Sequence, residues 1–157
     1  MNKDILKIDN AKIKWRNFSG KTDQYNTEGK RSFCVVIEDP EMGRQMAEDG
    51  WNIKIKPPRE EGEDPFMYLT VTVSYKYYSP TIVLSSGNSR VMLNKETVGR
   101  LDDIDIQRVD LDISPSYWKV NNNVGIKAYL NGMWVTQRLD RFAQRYSEER
   151  DMDEPEE

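Results

Sequence analysis

Apolar and polar residues alternate with a period of two through most of the chain, the mark of strands with one buried face. Residues 5–18 (ILKIDNAKIKWRNF) put Ile13 and Trp15 on one face and Lys12, Lys14 and Arg16 on the other. Residues 31–38 (RSFCVVIE) form a second, more apolar run, and 51–56 (WNIKIK) alternate again with Ile53 and Ile55 on one side. The longest run spans 66–78. Met67, Leu69, Val71, Val73, Tyr75 and Tyr77 share one parity, and Phe66, Tyr68, Thr70, Thr72, Ser74, Lys76 and Tyr78 the other. Segments 81–84, 104–113 and 124–138 supply further strands. Asn131-Gly132 within the last reads as a bulge, because too little chain follows for a full partner strand.

One helix interrupts this pattern. Asp39 as N-cap, Pro40 at the first position and Gly50 as terminator bracket residues 40–50, with Met42 and Met46 as the buried stripe. Residues 95–103 hold a short helix or turn, and 139–146 a final helical turn. Residues 19–30 (SGKTDQYNTEGK) are polar, with Gly20 and Gly29 near their ends, and read as a long mobile hairpin loop. Many strands, little helix and no internal repeat predict an all-β, OB-fold-like Greek-key barrel with short helical inserts. It is expected to fill residues 1–146 as one domain, followed by a disordered acidic tail over 147–157.

Charge changes the picture. The formal net charge of −4 in 157 residues conceals two opposed regions. The tail carries Glu148, Glu149, Asp151, Asp153, Glu154, Glu156 and Glu157 against Arg150, a local −6, so the remaining 146 residues carry +2. Residues 11–36 hold Lys12, Lys14, Arg16, Lys21, Lys30 and Arg31 against Asp23 and Glu28, a local +4. Aromatic residues interleave with these cations: Trp15, Phe18, Tyr25 and Phe33, then Tyr75 to Tyr78 around Lys76, then Tyr117 and Trp118 beside Lys119. Cations that track phosphates, together with flat rings that stack on bases, are what single-stranded nucleic acid requires. Parity assigns Phe33, Tyr75 and Tyr77 to the core. Trp15 shares Ile13's face and so points inward, yet its basic neighbours keep it among the candidates. Phe18 and Tyr25, at a strand end and in the loop, and Tyr78 and Tyr68, on the polar parity with Lys76, are the other residues weighed for stacking. Trp118 is open to either reading.

Catalysis is poorly supported. There is no histidine, which removes His-based triads and His-containing zinc sites, and the lone Cys34 cannot build a thiolate cluster or an internal disulfide. A carboxylate-metal nuclease on Asp102, Asp103 and Asp105 is the enzymatic rival. Asp110 and Asp112 alternate with Leu111 and Ile113 and read as the solvent face of a strand. No apolar run is long enough to span a bilayer, and the opening MNKDILKIDN does not read as a signal peptide. A cytoplasmic protein without metal or cofactor is expected.

Four phrases carry a resemblance. They are Ile8 to Lys21, closing on WRNFSGK; RSFCVVIEDPE at 31–41; AEDGWNIK at 47–54; and GIKAYLNGMWV at 125–135. In this order they resemble phage- and prophage-encoded single-stranded DNA-binding proteins with an OB fold and an acidic C-terminal tail. The resemblance implies single-stranded DNA in a basic aromatic groove and a tail for replication or recombination partners in a bacterial host. Charge, aromaticity and parity select Lys12, Lys14, Trp15, Arg16, Phe18, Lys21, Tyr25, Lys30, Arg31, Lys76 and Tyr78 as contacts. The competing reading is a phage protein-interaction module, an inhibitor or assembly factor, that ignores DNA.

Overall fold

A computed structural model describes residues 4–58, 60–62, 65–140, 142 and 145. The expected acidic tail lies outside the described residues, and so does most of the expected turn at 139–146. Among the described residues the strands are β1 (Leu6–Ile8), β2 (Lys12–Asn17), β3 (Arg31–Ile37), β4 (Ile53–Lys56), β5 (Phe66–Val73), β6 (Thr81–Ser86), β7 (Ser89–Leu93), β8 (Ile106–Val120) and β9 (Asn123–Gln137). Helix α1 (Pro40–Asp49) lies between β3 and β4, and a 3-10 turn (Val98–Asp102) precedes β8. The expectation of a β-rich fold with short helical inserts holds.

All nine strands join one mixed sheet whose main path runs β1-β8-β9-β5-β3-β2. The path does not close by a ladder. Its two ends are consecutive strands, joined through Asp9–Ala11, so chain continuity links what no strand ladder does. Asn10 makes the bend with φ +52°, a left-handed conformation that asparagine tolerates. Its N–H donates to Asp110 Oδ1 (2.9 Å), and the next N–H, of Ala11, donates to the Val109 carbonyl (2.8 Å). The expected single strand over 5–18 is therefore two strands in different parts of the sheet.

Alternation along β5 is regular: Met67, Leu69, Val71 and Val73 point into the core and Phe66, Tyr68, Thr70 and Thr72 point out. Inward residues of β3, β6, β8 and β9 complete the core, including Phe33, Ile82, Leu111 and Val135. Fully burying each such side chain contributes about 1.5–3 kcal/mol. β5 stops at Val73, five residues short of the expected end, so Tyr77 leaves the sheet and is 79% exposed rather than core.

β8 runs further than expected, through Pro115 to Val120. β1 covers it only as far as Ile113, so Pro115 sits where the strand keeps β9 as its partner, a position that tolerates a missing N–H. The expected bulge in β9 is present. Asp112 pairs with Gly132 and Ile113 with Leu130, leaving Asn131 unopposed. In α1, Asp39 caps the N-terminus through the Glu41 N–H and Gly50 closes the C-terminus at φ +110°. The buried face is Gly43 and Met46. Met42 is exposed, because the helix packs on Met67 through Gly43, where a Cβ would sit 2.4 Å from the Met67 sulfur.

Candidate nucleic-acid interface

The outward parities of four adjacent strands form one surface. Register places Lys12 beside Val36, Val36 beside Tyr68, and Tyr68 beside Lys54. The neighbouring rows pair Lys14 with Cys34, Cys34 with Thr70, and Lys56 with Phe66. β2, β3, β5 and β4 thus present Lys12, Lys14, Lys54 and Lys56 around Phe66 and Tyr68.

Trp15 completes this group, and it does so by breaking the alternation. The β2–β3 register shifts between Lys14 and Asn17, and Trp15 takes φ +53°. A left-handed backbone is costly for a bulky residue, by roughly 1–2 kcal/mol. Such strain gathers at functional sites, and bulges re-aim side chains. Trp15 is accordingly not the inward partner of Ile13 but 54% exposed on the lysine face. Its ring meets Tyr68 at 5.1 Å and Phe66 at 6.0 Å, both edge-on, while Phe66 and Tyr68 are tilted at 5.8 Å. No two of the three rings stack face to face, so ring faces remain for a third party. The Lys14 ammonium lies 4.9 Å from the Phe66 centroid and that of Lys56 5.9 Å from Trp15. Lys12 pairs with Glu38 at 2.6 Å, both ends exposed, an ion pair worth little in water. A groove of about 620 Å³ continues from this face past the outer edge of β2 towards Arg108 on β8.

The same bulge removes two expected contacts. Arg16 does not share a face with Lys12 and Lys14. Its Nη1 donates to the carbonyls of Leu101 (2.7 Å) and Ile104 (2.9 Å), pinning β2 to the 3-10 turn. Phe18 is fully buried and stacks on Phe33 at 5.1 Å, a core pair rather than a platform for a base. Asp102 holds this end in place. Its Oδ1 accepts from the Phe18 N–H (2.7 Å), and its Oδ2 from the Ser19 N–H (3.1 Å) and hydroxyl (2.7 Å). One of the three carboxylates of the nuclease rival is thereby committed to the N–H groups of Phe18 and Ser19 and to the Ser19 hydroxyl.

Lys21, Tyr25 and Lys30 lie on the β2–β3 loop. The loop has its own scaffold: the Asn26 amide donates to the carbonyls of Lys21 (3.0 Å) and Lys30 (2.9 Å) and accepts from the Lys30 N–H (3.0 Å). Asp23 Oδ1 accepts from the N–H groups of Tyr25 and Asn26. Gly20 and Gly29 face each other at the neck, where a Cβ on Gly20 would meet the Gly29 carbonyl at 2.7 Å. Tyr25 stands exposed, and Lys30 pairs with Glu28 at 3.1 Å. At the loop's base the Arg31 guanidinium lies 5.2 Å from the Tyr75 ring and donates to the Lys95 carbonyl (2.9 Å). Burial raises the Tyr75 hydroxyl above its ordinary pKa, and Arg31 opposes this. Arg31 pairs with Val73, so the segment carrying Lys76 and the exposed Tyr78 leaves the sheet at the same end as this loop.

The structure thus brings Lys12, Lys14 and Trp15 together. It sets Lys21, Tyr25, Lys30, Arg31, Lys76 and Tyr78 at the far end of the same strands, and withdraws Arg16 and Phe18. Phe66, Lys54 and Lys56 were missed as candidates. Their signal was present: Phe66 shares the outward parity of Tyr68, and both lysines alternate with Ile53 and Ile55. Among the described residues no helix is long and apolar enough to cross a membrane.

A family model described as "Putative phage ssDNA-binding domain" matches residues 1–156. No curated protein matches the chain. Among solved structures, the single-stranded DNA-binding protein from bacteriophage Enc34 in complex with ssDNA is similar, with TM-score 0.55 and 12% identity over 88% of this chain and 89% of that one. A C-terminal truncation of the Enc34 protein gives TM-score 0.52 at 11% identity, covering 88% and 87%. At such identities the likeness is one of fold.

Proposed function

The chain belongs to the phage single-stranded DNA-binding domain family, and on that premise we propose that it binds single-stranded DNA across the outer face of β2, β3, β5 and β4. The observation that carries the proposal is the Trp15–Phe66–Tyr68 cluster framed by Lys12, Lys14, Lys54 and Lys56. Bases stack on the rings, at about 1–3 kcal/mol each, while the lysines neutralise phosphates. Lys12 exchanges Glu38 for a phosphate at little cost. Lys21, Tyr25, Lys30, Arg31, Lys76 and Tyr78 flank the strand as it passes the loop end. Stacking and backbone neutralisation favour no particular base, which suits a protein that coats DNA during phage replication or recombination. The proposal is of a binder, not an enzyme, acting in the cytoplasm of the bacterial host. Its acidic tail is the proposed contact for replication or recombination proteins.

Fluorescence anisotropy with labelled oligo-dT, against a duplex of equal length, tests this. Tight binding to the single strand alone is expected. Each phosphate neutralised should add about −0.7 to the slope of log K against log salt. Replacing Lys12 and Lys14 by Ala should flatten that slope. Absence of single-strand binding by the folded protein, or a slope near zero, would overturn the proposal.

A further inference from the structure

Strand β7 is an open edge of the sheet. Among the described residues it pairs with β6 alone, through an uninterrupted ladder from Ile82–Leu93 to Ser86–Ser89. An edge strand presents a row of unpaired N–H and C=O groups, and proteins blunt such edges with brevity, bulges, lysine or proline. The other edges use these devices. β1 has three residues, β2 carries the bulge at Trp15, and β4 carries the exposed Lys54 and Lys56. β7 (SRVML) has five residues with no lysine, proline or bulge. Its one charge, Arg90, leans back over the sheet, 5.7 Å from the Trp134 ring centroid.

The core is also unfinished at this edge. Register places Val109, Val135, Leu84 and Val91 in one row across β8, β9, β6 and β7. The first three are buried, whereas Val91, with no strand beyond it, is 41% exposed. On the outer face the row Trp134, Val83, Met92 ends in a methionine that is 67% exposed. Unpaired backbone with an open apolar residue on each face calls for one more strand, and a second copy of β7 supplies it. An antiparallel pair about a twofold axis at Val91, the middle residue, uses all five residues. It sets Val91 against its twin, Arg90 against Met92 and Ser89 against Leu93. Val91 is then covered, each Met92 lies beside an arginine stem, and no two charges of one sign stand directly opposite. β6 (TIVLSS) and β7 hold no carboxylate and no second cation that would oppose this register.

We propose that two copies of this chain associate edge to edge through β7, in the antiparallel register centred on Val91, so that the two sheets become one. The inference stands apart from the DNA-binding reading and survives its failure. No residue of the Trp15–Phe66–Tyr68 cluster lies on β6 or β7, so the pairing leaves that cluster open in both copies. Five residues a side is well short of the roughly 20–30 of a standard interface. The association is therefore weak and depends on concentration.

The test uses the full chain without DNA, in two measurements. Sedimentation across a concentration series should show a monomer–dimer equilibrium in wild type. Met92→Glu places a carboxylate opposite Arg90 of the other copy, and Met92→Lys places a second cation there. With two such pairs per dimer, the glutamate variant should associate at least about fourfold more tightly than the lysine variant. Both changes fall on an exposed side chain, and circular dichroism checks that the fold is kept. The second measurement is oxidative cross-linking. Val91→Cys should form a disulfide with its twin, because directly opposite Cα atoms lie about 4.5–5.5 Å apart. Arg90→Cys should not, because its twin stands about 8 Å away on the diagonal. Wild type, with only the buried Cys34, is the blank. A wild type that stays monomeric throughout would leave β7 to a strand of another protein and overturn the proposal. So would a Val91→Cys variant that does not cross-link, an Arg90→Cys variant that cross-links equally well, or equal association of the two Met92 variants.

Discussion

Replacing Trp15 by glycine should separate stability from binding in a way that a core tryptophan would not allow. Trp15 sits at φ +53°. The left-handed backbone costs about 1–2 kcal/mol for a residue with a Cβ and nothing comparable for glycine. Against this relief stand glycine's larger loss of chain entropy, about 0.5–1 kcal/mol, and two lost edge contacts, with Phe66 and Tyr68, at about 0.5–1.5 kcal/mol each. The ring is half in solvent, which puts those contacts at the low end. Trp15→Gly should therefore shift unfolding stability by no more than about 2 kcal/mol. Trp15→Ala loses the same contacts but keeps the strain, so the glycine variant should be the more stable of the two by about 0.5–1 kcal/mol. That inverts the usual order of these residues in a strand. Both variants should lose one stacking platform, weakening oligo-dT binding about 5- to 150-fold. Urea denaturation measures the first pair of numbers and anisotropy the last. An alanine variant more stable than the glycine variant would refute the strained bulge. A loss above about 4 kcal/mol would return Trp15 to the core, and unchanged affinity would remove it from the interface.

Asp102→Ala should cost about 2–4 kcal/mol, because the N–H groups of Phe18 and Ser19 lose a charged acceptor beneath a core phenylalanine; Asp102→Asn should cost less. Thermal unfolding should show a fall of roughly 5–15 °C for the alanine variant, and a change under 1 °C would refute the clamp. Asp110 has its pKa held below the ordinary 3.8, first by the Asn10 N–H and further by Arg108. A depressed folded-state pKa contributes stability that is present above the unfolded value and lost as pH falls through the folded one. Stability below about pH 4 should therefore fall more steeply in wild type than in Asp110→Asn, as read by urea midpoints across a pH series. Parallel pH curves would show that the carboxylate adds nothing to the kink.

What the sequence made legible was whatever obeyed a period. The inward row of β5, the helix between Asp39 and Gly50, the basic character of Lys12 and Lys14 and the bulge at Asn131 followed from alternation, caps and turn chemistry. What it hid lay at departures from that period. One left-handed residue at Asn10 splits the first strand between two parts of the sheet, and another at Trp15 turns an inward indole outward. The same departure sends Arg16 to the Leu101 and Ile104 carbonyls, and Phe18 lies beyond it in the core. A parity count has no means of registering an extra residue in one strand, since each bulge exchanges the two faces for everything beyond it. Lys54 and Lys56 were hidden for a different reason. Their alternation was plain, but only the pairing of β4 with β5 shows that they border Tyr68 and Phe66.

The irregularities and the proposed interface are therefore linked. Had β2 kept its period, Trp15 would have packed inward with Ile13 and the lysine face would have held Phe66 and Tyr68 alone. The bulge adds a third ring, and the Arg16 and Asp102 clamps hold the strand beyond it against relaxing. A strained residue persists only where its surroundings over-determine it. Loosening the clamps should thus act on DNA binding at a distance. Asp102→Asn, although it touches no part of the proposed DNA face, should weaken oligo-dT binding in the same direction as Trp15→Ala. It should do so less than additively when the two are combined, because both changes remove the same positioned ring.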